Sequence, residues 1–339
     1  MNHSDAGILL AYDLTRRAWS QEAMDLMGIT PSVYCELAPC HEVIGSVAQD
    51  AAQATGLRAG TPVVAGGEDT SSAGLAMGVT SSDTAQLSLG SASTVNVPLA
   101  CPSTDPRLLA FPHVIEGLTL LGGSMIGGGN AMIWIAGVVA HDGGTVSTER
   151  LGQLAEEASQ VAPGSDGLIF LPYLAGELQP INDGYARGAF LGRDLSKGRG
   201  HLIRAVMEGT AFAVEHNLSI TRLLGAKIQM LHAVGGPTRS KLWCQIIADV
   251  TGLPLQVMQE RGGAALGDAI LAAWGAGLIA SPESMQRVHA AAGQRYIPHP
   301  ANHRRYEELV AIYKDVYPRL KDLFPRLAGL SQPAGGLAQ

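Results

Sequence analysis

Apolar residues fall along this chain either in short runs closed by glycine or proline, or in longer stretches at helical spacing. Residues 7–13 (GILLAYD), 62–65 (PVVA), 118–121, 168–173, 228–234 and 255–258 are runs of buried-strand type. Residues 84–89 and 94–97 flank a turn containing Gly90 and predict a hairpin. Helices are predicted over 17–27, 69–77, 130–139, 148–161, 239–251, 264–276 and 304–324. The clearest helical pattern is 201–224, where Leu202, Ala205, Val206, Gly209 and Phe212 form one apolar stripe. Residues 176–200 are polar and glycine-rich, and a frayed tail is expected after Leu327. Strands alternating with helices predict an α/β fold with a mixed sheet.

Composition narrows the class. The 339 residues are 46% hydrophobic and 16% charged, which can fill a sizeable core in one large domain or two. A formal charge of -7 gives no basic footprint for nucleic acid or for an anionic membrane. The apolar stretch 264–280 carries Asp268 and three glycines, so it reads as a buried helix and not a membrane span. No secretory pattern follows the polar residues 1–5. Cys35, Cys40, Cys101 and Cys244 form no CxxC pair and no zinc spacing, so buried, reduced thiols and a cytoplasmic location are expected.

Candidate chemistry sits where strands end. Asp69 follows a strand and the Gly66-Gly67 turn, the place where open α/β sheets bind ligands. It can take a proton from an attacking hydroxyl, or simply cap the helix that follows. Gly90-Ser91-Ala92-Ser93 is small enough to approach phosphate oxygens, or to be a plain hairpin turn. Gly235-Gly236-Pro237-Thr238-Arg239-Ser240 carries a strand into a helix, where backbone can press against a base or a phosphate. It matches neither G-x-G-x-x-G nor the P-loop. Gly122-Gly123 and Gly127-Gly128-Gly129 imply close approach by backbone or ligand. His299 and His303 are four apart with Pro300 between, an unfavourable arrangement for a metal.

These pieces together resemble the FGGY carbohydrate kinases, most closely the xylulokinase-like members, from about Gly7 to Phe324. Residues 60–69 resemble the approach to the family's catalytic aspartate, and 87–93 its second phosphate motif, usually written SLGTS. Residues 171–177 resemble the PYLxGE segment. Gly188, Phe190, Gly192, His201, Leu202, Ala205 and Glu208 follow the family's second signature. Gly235-Gly236 with Ser240, Leu242 and Trp243 resembles the adenosine motif. The chain departs from the pattern at Glu68, Thr70, Leu178-Gln179 and Arg193.

The resemblance implies two actin-like (ribonuclease H-like) ATPase domains about a cleft. It also implies ATP and Mg²⁺ as cofactors and a sugar hydroxyl as acceptor, a pentulose such as D-xylulose foremost. By this likeness Asp69 is the general base; Gly90, Ser91 and Ala92 line the phosphate path; Gly129, Gly235, Gly236 and Ser240 contact the nucleoside. The family's D-x-G-T-T loop is not in this sequence. The expected division is therefore 1–79 as the end of the sugar-binding domain, 80–327 as the nucleotide-binding domain and 328–339 as tail. Little kinase activity is expected of this polypeptide alone. The alternatives are a non-catalytic nucleotide-binding module, or half of a split kinase pairing with a separate N-terminal chain. A homodimer is the other partner form left open.

Overall fold

The computed structural model describes residues 1–100, 104–139, 146–258, 263–285 and 293–330. The N-terminal stretch holds α1 (His3–Ala6), β1 (Tyr12–Asp13), β2 (Ala18–Trp19), α2 (Gln21–Met27), β3 (Val43–Ser46), α3 (Gln49–Thr55), β4 (Pro62–Val64) and α4 (Asp69–Ala76). Then come β5 (Thr84–Leu89), β6 (Ser93–Leu99), β7 (Leu109–Pro112), β8 (Thr119–Met125), α5 (Gly129–Val139), α6 (Thr148–Ser159), β9 (Ile169–Leu171) and β10 (Ala189–Leu191). The remainder is α7 (Arg199–Leu223), β11 (Met230–Val234), α8 (Lys241–Thr251), β12 (Leu255–Val257), α9 (Gly263–Gly275), β13 (Arg295–Tyr296), α10 (Pro300–Leu320) and α11 (Phe324–Leu330).

The predicted mixed sheet is present. Seven strands run in the order β13-β12-β11-β5-β6-β8-β7, with β5, β11 and β12 parallel and the rest antiparallel. β5 and β6 pair from Gln86↔Asn96 to Leu89↔Ser93, which leaves Gly90, Ser91 and Ala92 as a three-residue hairpin turn. Gly122 and Gly123, predicted to precede a helix, lie inside β8. Their bare faces admit side chains: a Cβ on Gly123 would stand 2.1 Å from Asn217 Oδ1, and one on Gly122 would stand 2.6 Å from Asn96 Oδ1.

α7 is the axis of the core. The sequence shows one apolar stripe, but α5, α6, α8, α10 and β9 all pack on this helix, so its polar face is buried too. Arg204 and Glu208 make this tolerable by pairing at 2.7 Å. Glu208 also accepts from Gly164 N–H, Ser165 Oγ and Tyr306 OH, and Arg204 donates to Val161 O. A buried charge is stable only when its hydrogen-bonding capacity is met in this way.

The N-terminal stretch departs most from expectation. Residues 7–13 form mainly turns, with only Tyr12–Asp13 in a strand. The run joins only the two-residue pairing of β1 with β2, and Leu10 is exposed. The helix predicted from 17 starts at Gln21, because Arg17 takes a left-handed φ of 52 and Ser20 caps the helix. β4 is a strand, but it pairs only with β3, and Val63 is exposed where the apolar run predicts burial. Cys35 is exposed, contrary to expectation; Cys40 and Cys244 are buried free thiols, and Cys101 lies outside the described residues. The predicted tail falls partly within α11, and residues 331–339 lie outside the described residues.

Candidate functional site

The chain leaves β4 through Gly66, at φ +76, and Gly67, where a Cβ would meet Ser72 Oγ and Val114 Cγ1 at 2.5 Å. Glu68 then caps α4: its carboxylate accepts from Thr70 N–H at 3.0 Å and Ser71 N–H at 2.8 Å. The capping alternative for Asp69 is therefore corrected, since its neighbour holds that role. Asp69 is the first helical residue, exposed, and accepts from Thr70 Oγ1 at 3.1 Å. The hydrogen bond from Glu68, then that from Thr70, holds the Asp69 carboxyl below its ordinary range. Burial, then the bond to Asp69, raises Glu68. When the pair takes up one proton, Glu68 holds it and Asp69 stays ionised at a helix N-terminus.

α4 lies along α9, and the two helices cross with almost no gap. A Cβ on Gly267 would stand 1.9 Å from Ser72 O. Asp268 fastens the crossing, accepting from Ser72 Oγ at 2.8 Å and Gly67 N–H at 3.2 Å.

The hairpin turn is braced from one side. Gly129 N–H donates to Gly90 O at 2.8 Å and Asn130 N–H to Ser91 O at 3.1 Å. In the glycine run 127–129 the approach to backbone is present, since a Cβ on Gly128 would stand 2.7 Å from Ser91 O. Asn130 closes this segment by accepting from Gly128 N–H and donating to Ile126 O. Glu177 holds it from behind, accepting from Ile126 N–H and Leu178 N–H at 2.8 Å each. Its other oxygen is buried with no partner among the described residues, and burial pushes the carboxyl up to about 7. On the open side of the turn, the N–H groups of Ser91 and Ala92 meet no acceptor among the described residues.

A cavity of about 660 Å³ opens beside this turn. Gly90, Ser91, Gly129, Gly236 and Ser240 line it, so five of the eight predicted site residues meet there. Ala92, Gly235 and Asp69 do not line it. Gly235 also has a role in the fold: at φ +108, its Cβ position lies 2.0 Å from Leu89 O. Ser240 also caps α8, accepting from Trp243 N–H at 3.3 Å.

Sequence reasoning named Arg239 and Leu242 within its motifs but missed Met132, Leu151, Met207 and Lys241. Met132, Leu151, Met207 and Leu242 give it an apolar lining, and Arg239 and Lys241 give it positive charge. Neither cation has an ion pair among the described residues. The apolar residues come from four separate helices at core spacing, and nothing in a linear pattern distinguishes a cavity wall from a core. His299 and His303 gather on Asp249, through the His299 N–H and ring and a bond to Asp249 O. No cluster of three ligand-type side chains occurs among the described residues.

The C-terminal domain model of the FGGY family of carbohydrate kinases matches residues 85–276, and its N-terminal domain model matches 1–76. The xylulose kinase of Bacillus subtilis is 28% identical over 320 residues, covering 93% of this chain and 62% of that protein. The gluconokinase of the same organism is 28% identical over 302 residues, covering 87% of this chain and 58% of its own length. The crystal structure of xylulose kinase from Rhodospirillum rubrum superposes with a TM-score of 0.85 at 34% identity, over 92% of this chain and 62% of that one. This chain thus spans less than two thirds of the relatives it matches.

Proposed function

Because the chain belongs to the FGGY family of carbohydrate kinases, we propose that it carries the nucleotide site and general base of an enzyme moving the γ-phosphoryl group of ATP to a sugar hydroxyl. The observation that carries this reading is the cavity beside the hairpin turn, with two unengaged amides at its edge. Its volume suits a nucleotide-sized ligand, for which pockets run roughly 300–1,000 Å³. Adenosine lies against Met132, Leu151 and Leu242, and the phosphates reach toward Ser91 and Ala92. Arg239 and Lys241 draw the anion in.

Asp69 accepts the proton of the attacking hydroxyl while that oxygen bonds to phosphorus and the bond to ADP breaks. Its lowered pKa keeps it in the accepting form at neutral pH. Mg²⁺, implied by the family likeness, needs no three-donor protein cage when phosphates and one or two carboxylates hold it, and none occurs among the described residues. The acceptor is D-xylulose or a related sugar; gluconate is the specific competitor, since relatives bear both names.

Calorimetric titration with ADP tests the nucleotide site. Gly152 lines the cavity and its Cβ direction is open, so Gly152→Trp fills the space without disturbing the helix. Binding by the parent chain and its loss in this variant are expected; equal binding by both would sink the assignment. A coupled assay with D-xylulose and with D-gluconate then reads the reaction. ADP binding with turnover of neither sugar leaves a nucleotide-binding module and ends the kinase reading.

A further inference from the structure

The seven-stranded sheet carries a row of hydroxyls outside the cavity. Strand register sets Ser88 beside Thr94, and Thr94 beside Ser124, across β5, β6 and β8. Side chains in one transverse row share a face of the sheet. That face is the one under α4: a Cβ on Gly74 would stand 2.9 Å from Gln86 Oε1, and Gln86 lies two residues before Ser88. Gly123, next to Ser124, faces the other way, where its Cβ would meet Asn217 of α7. The row is therefore on the opposite face from α7, whose Met207 lines the cavity. Its three hydroxyls are half-buried and meet no partner among the described residues. One row deeper, Gln86 pairs with Asn96, each 3% exposed. Gln86 Oε1 and Asn96 Nδ2 are buried there with no partner among the described residues, where such groups are normally paired.

Ser88 and Thr94 are one register pair away from Leu89↔Ser93, the pair that carries the turn Gly90–Ala92. By strand rise Ser88 stands roughly 7 Å from Gly90. Neighbouring strands are about 4.8 Å apart, so two adjacent hydroxyls can donate to one phosphoryl group. The row holds no carboxylate to repel an anion. The turn thus has the cavity on one side and a set of hydroxyl donors on the other. We infer that Ser88, Thr94 and Ser124 seat the terminal phosphoryl group of a nucleotide whose inner phosphates lie at the amides of Ser91 and Ala92. This rests on the nucleotide-site reading and adds to it the residues that tell a triphosphate from a diphosphate.

The test is calorimetric titration of the purified chain, in magnesium chloride throughout, with ADP and with the non-hydrolysable triphosphate AMP-PNP. The parent is expected to bind the triphosphate more tightly. The triple variant Ser88→Ala, Thr94→Val and Ser124→Ala removes the hydroxyls and keeps every strand backbone free to pair. It is expected to hold ADP affinity within about twofold and to lose about tenfold or more for AMP-PNP, as for hydrogen bonds to a charged group. Exchanging one hydroxyl for another, Ser88→Thr with Thr94→Ser, is expected to keep the parent's preference. Equal loss of both ligands in the triple variant marks altered packing and overturns the inference. An unchanged preference for AMP-PNP in that variant overturns it too, as does a parent that binds the two ligands alike. A parent that binds neither ligand sinks the nucleotide-site reading itself, and this inference with it.

Discussion

Two carboxyls carry opposite expectations. Asp69 is exposed and held ionised, so Asp69→Asn in an enzyme that turns over is expected to cut kcat by roughly a hundredfold or more with ADP affinity unchanged. Steady-state kinetics beside calorimetry separates these outcomes. Glu177 is buried behind the hairpin turn, and its carboxyl rises from 4.5 to about 7 through desolvation. Between those values the folded protein holds a proton that the unfolded chain has released. Stability is therefore fullest below about 4.5 and falls as pH rises toward 7, by on the order of 3 kcal/mol in total. Glu177→Gln keeps an oxygen for Ile126 N–H and Leu178 N–H and carries no charge. Its melting temperature is expected to match the parent near pH 4.5 and exceed it at pH 8; parallel pH curves would refute this. A third expectation concerns Glu208, whose removal strands the buried Arg204 guanidinium. Glu208→Ala is expected to cost about 3–5 kcal/mol in urea denaturation.

Elements show where sequence patterns suffice. Adjacent glycines at the end of β11 read alike in sequence and differ in space. Gly235→Ala drives a Cβ into Leu89 O at a positive φ and is expected to lower stability by about 1–3 kcal/mol. Gly236→Ala meets open space and is expected to leave the melting temperature nearly unchanged, an outcome thermal denaturation checks directly. The sheet strands β5, β6, β11 and β12 and the helices α4, α7 and α8 were legible because burial writes its period into the chain. β3, α3 and β10 were not: β3 and α3 bury no residue, and β10 sits in a glycine-rich run paired only with β9. The 7–13 run misled for the converse reason, being apolar with only the two-residue β1–β2 pairing to join. At the site, the turn glycines were visible because backbone approach demands glycine. Lys241 was not, because an exposed cation looks like any other, and Arg239 was visible only as a member of the turn.

At the scale of the whole molecule, one large apolar cluster spans the seven-stranded sheet and α5 to α8 and α10, while a small one of Cys40, Leu75, Val114, Ile270 and Leu271 joins α4 to α9. The proposed nucleotide cavity opens on the large cluster, so a ligand there is expected to stabilise the larger body. ADP at a hundred times its Kd is expected to add about 2.7 kcal/mol to stability, seen as a rise in melting temperature that Gly152→Trp abolishes. The small cluster and Asp268 clamp the helix bearing Asp69 to α9, within the stretch matched by the C-terminal family model. The proposed base is thereby fixed to a helix of the C-terminal family match. If such an enzyme is divided ahead of α4, either by nature or by an engineer, its most distance-sensitive pair of parts remains together. Reassembly then needs a fragment to find its seat, without having to realign reacting atoms across the new seam.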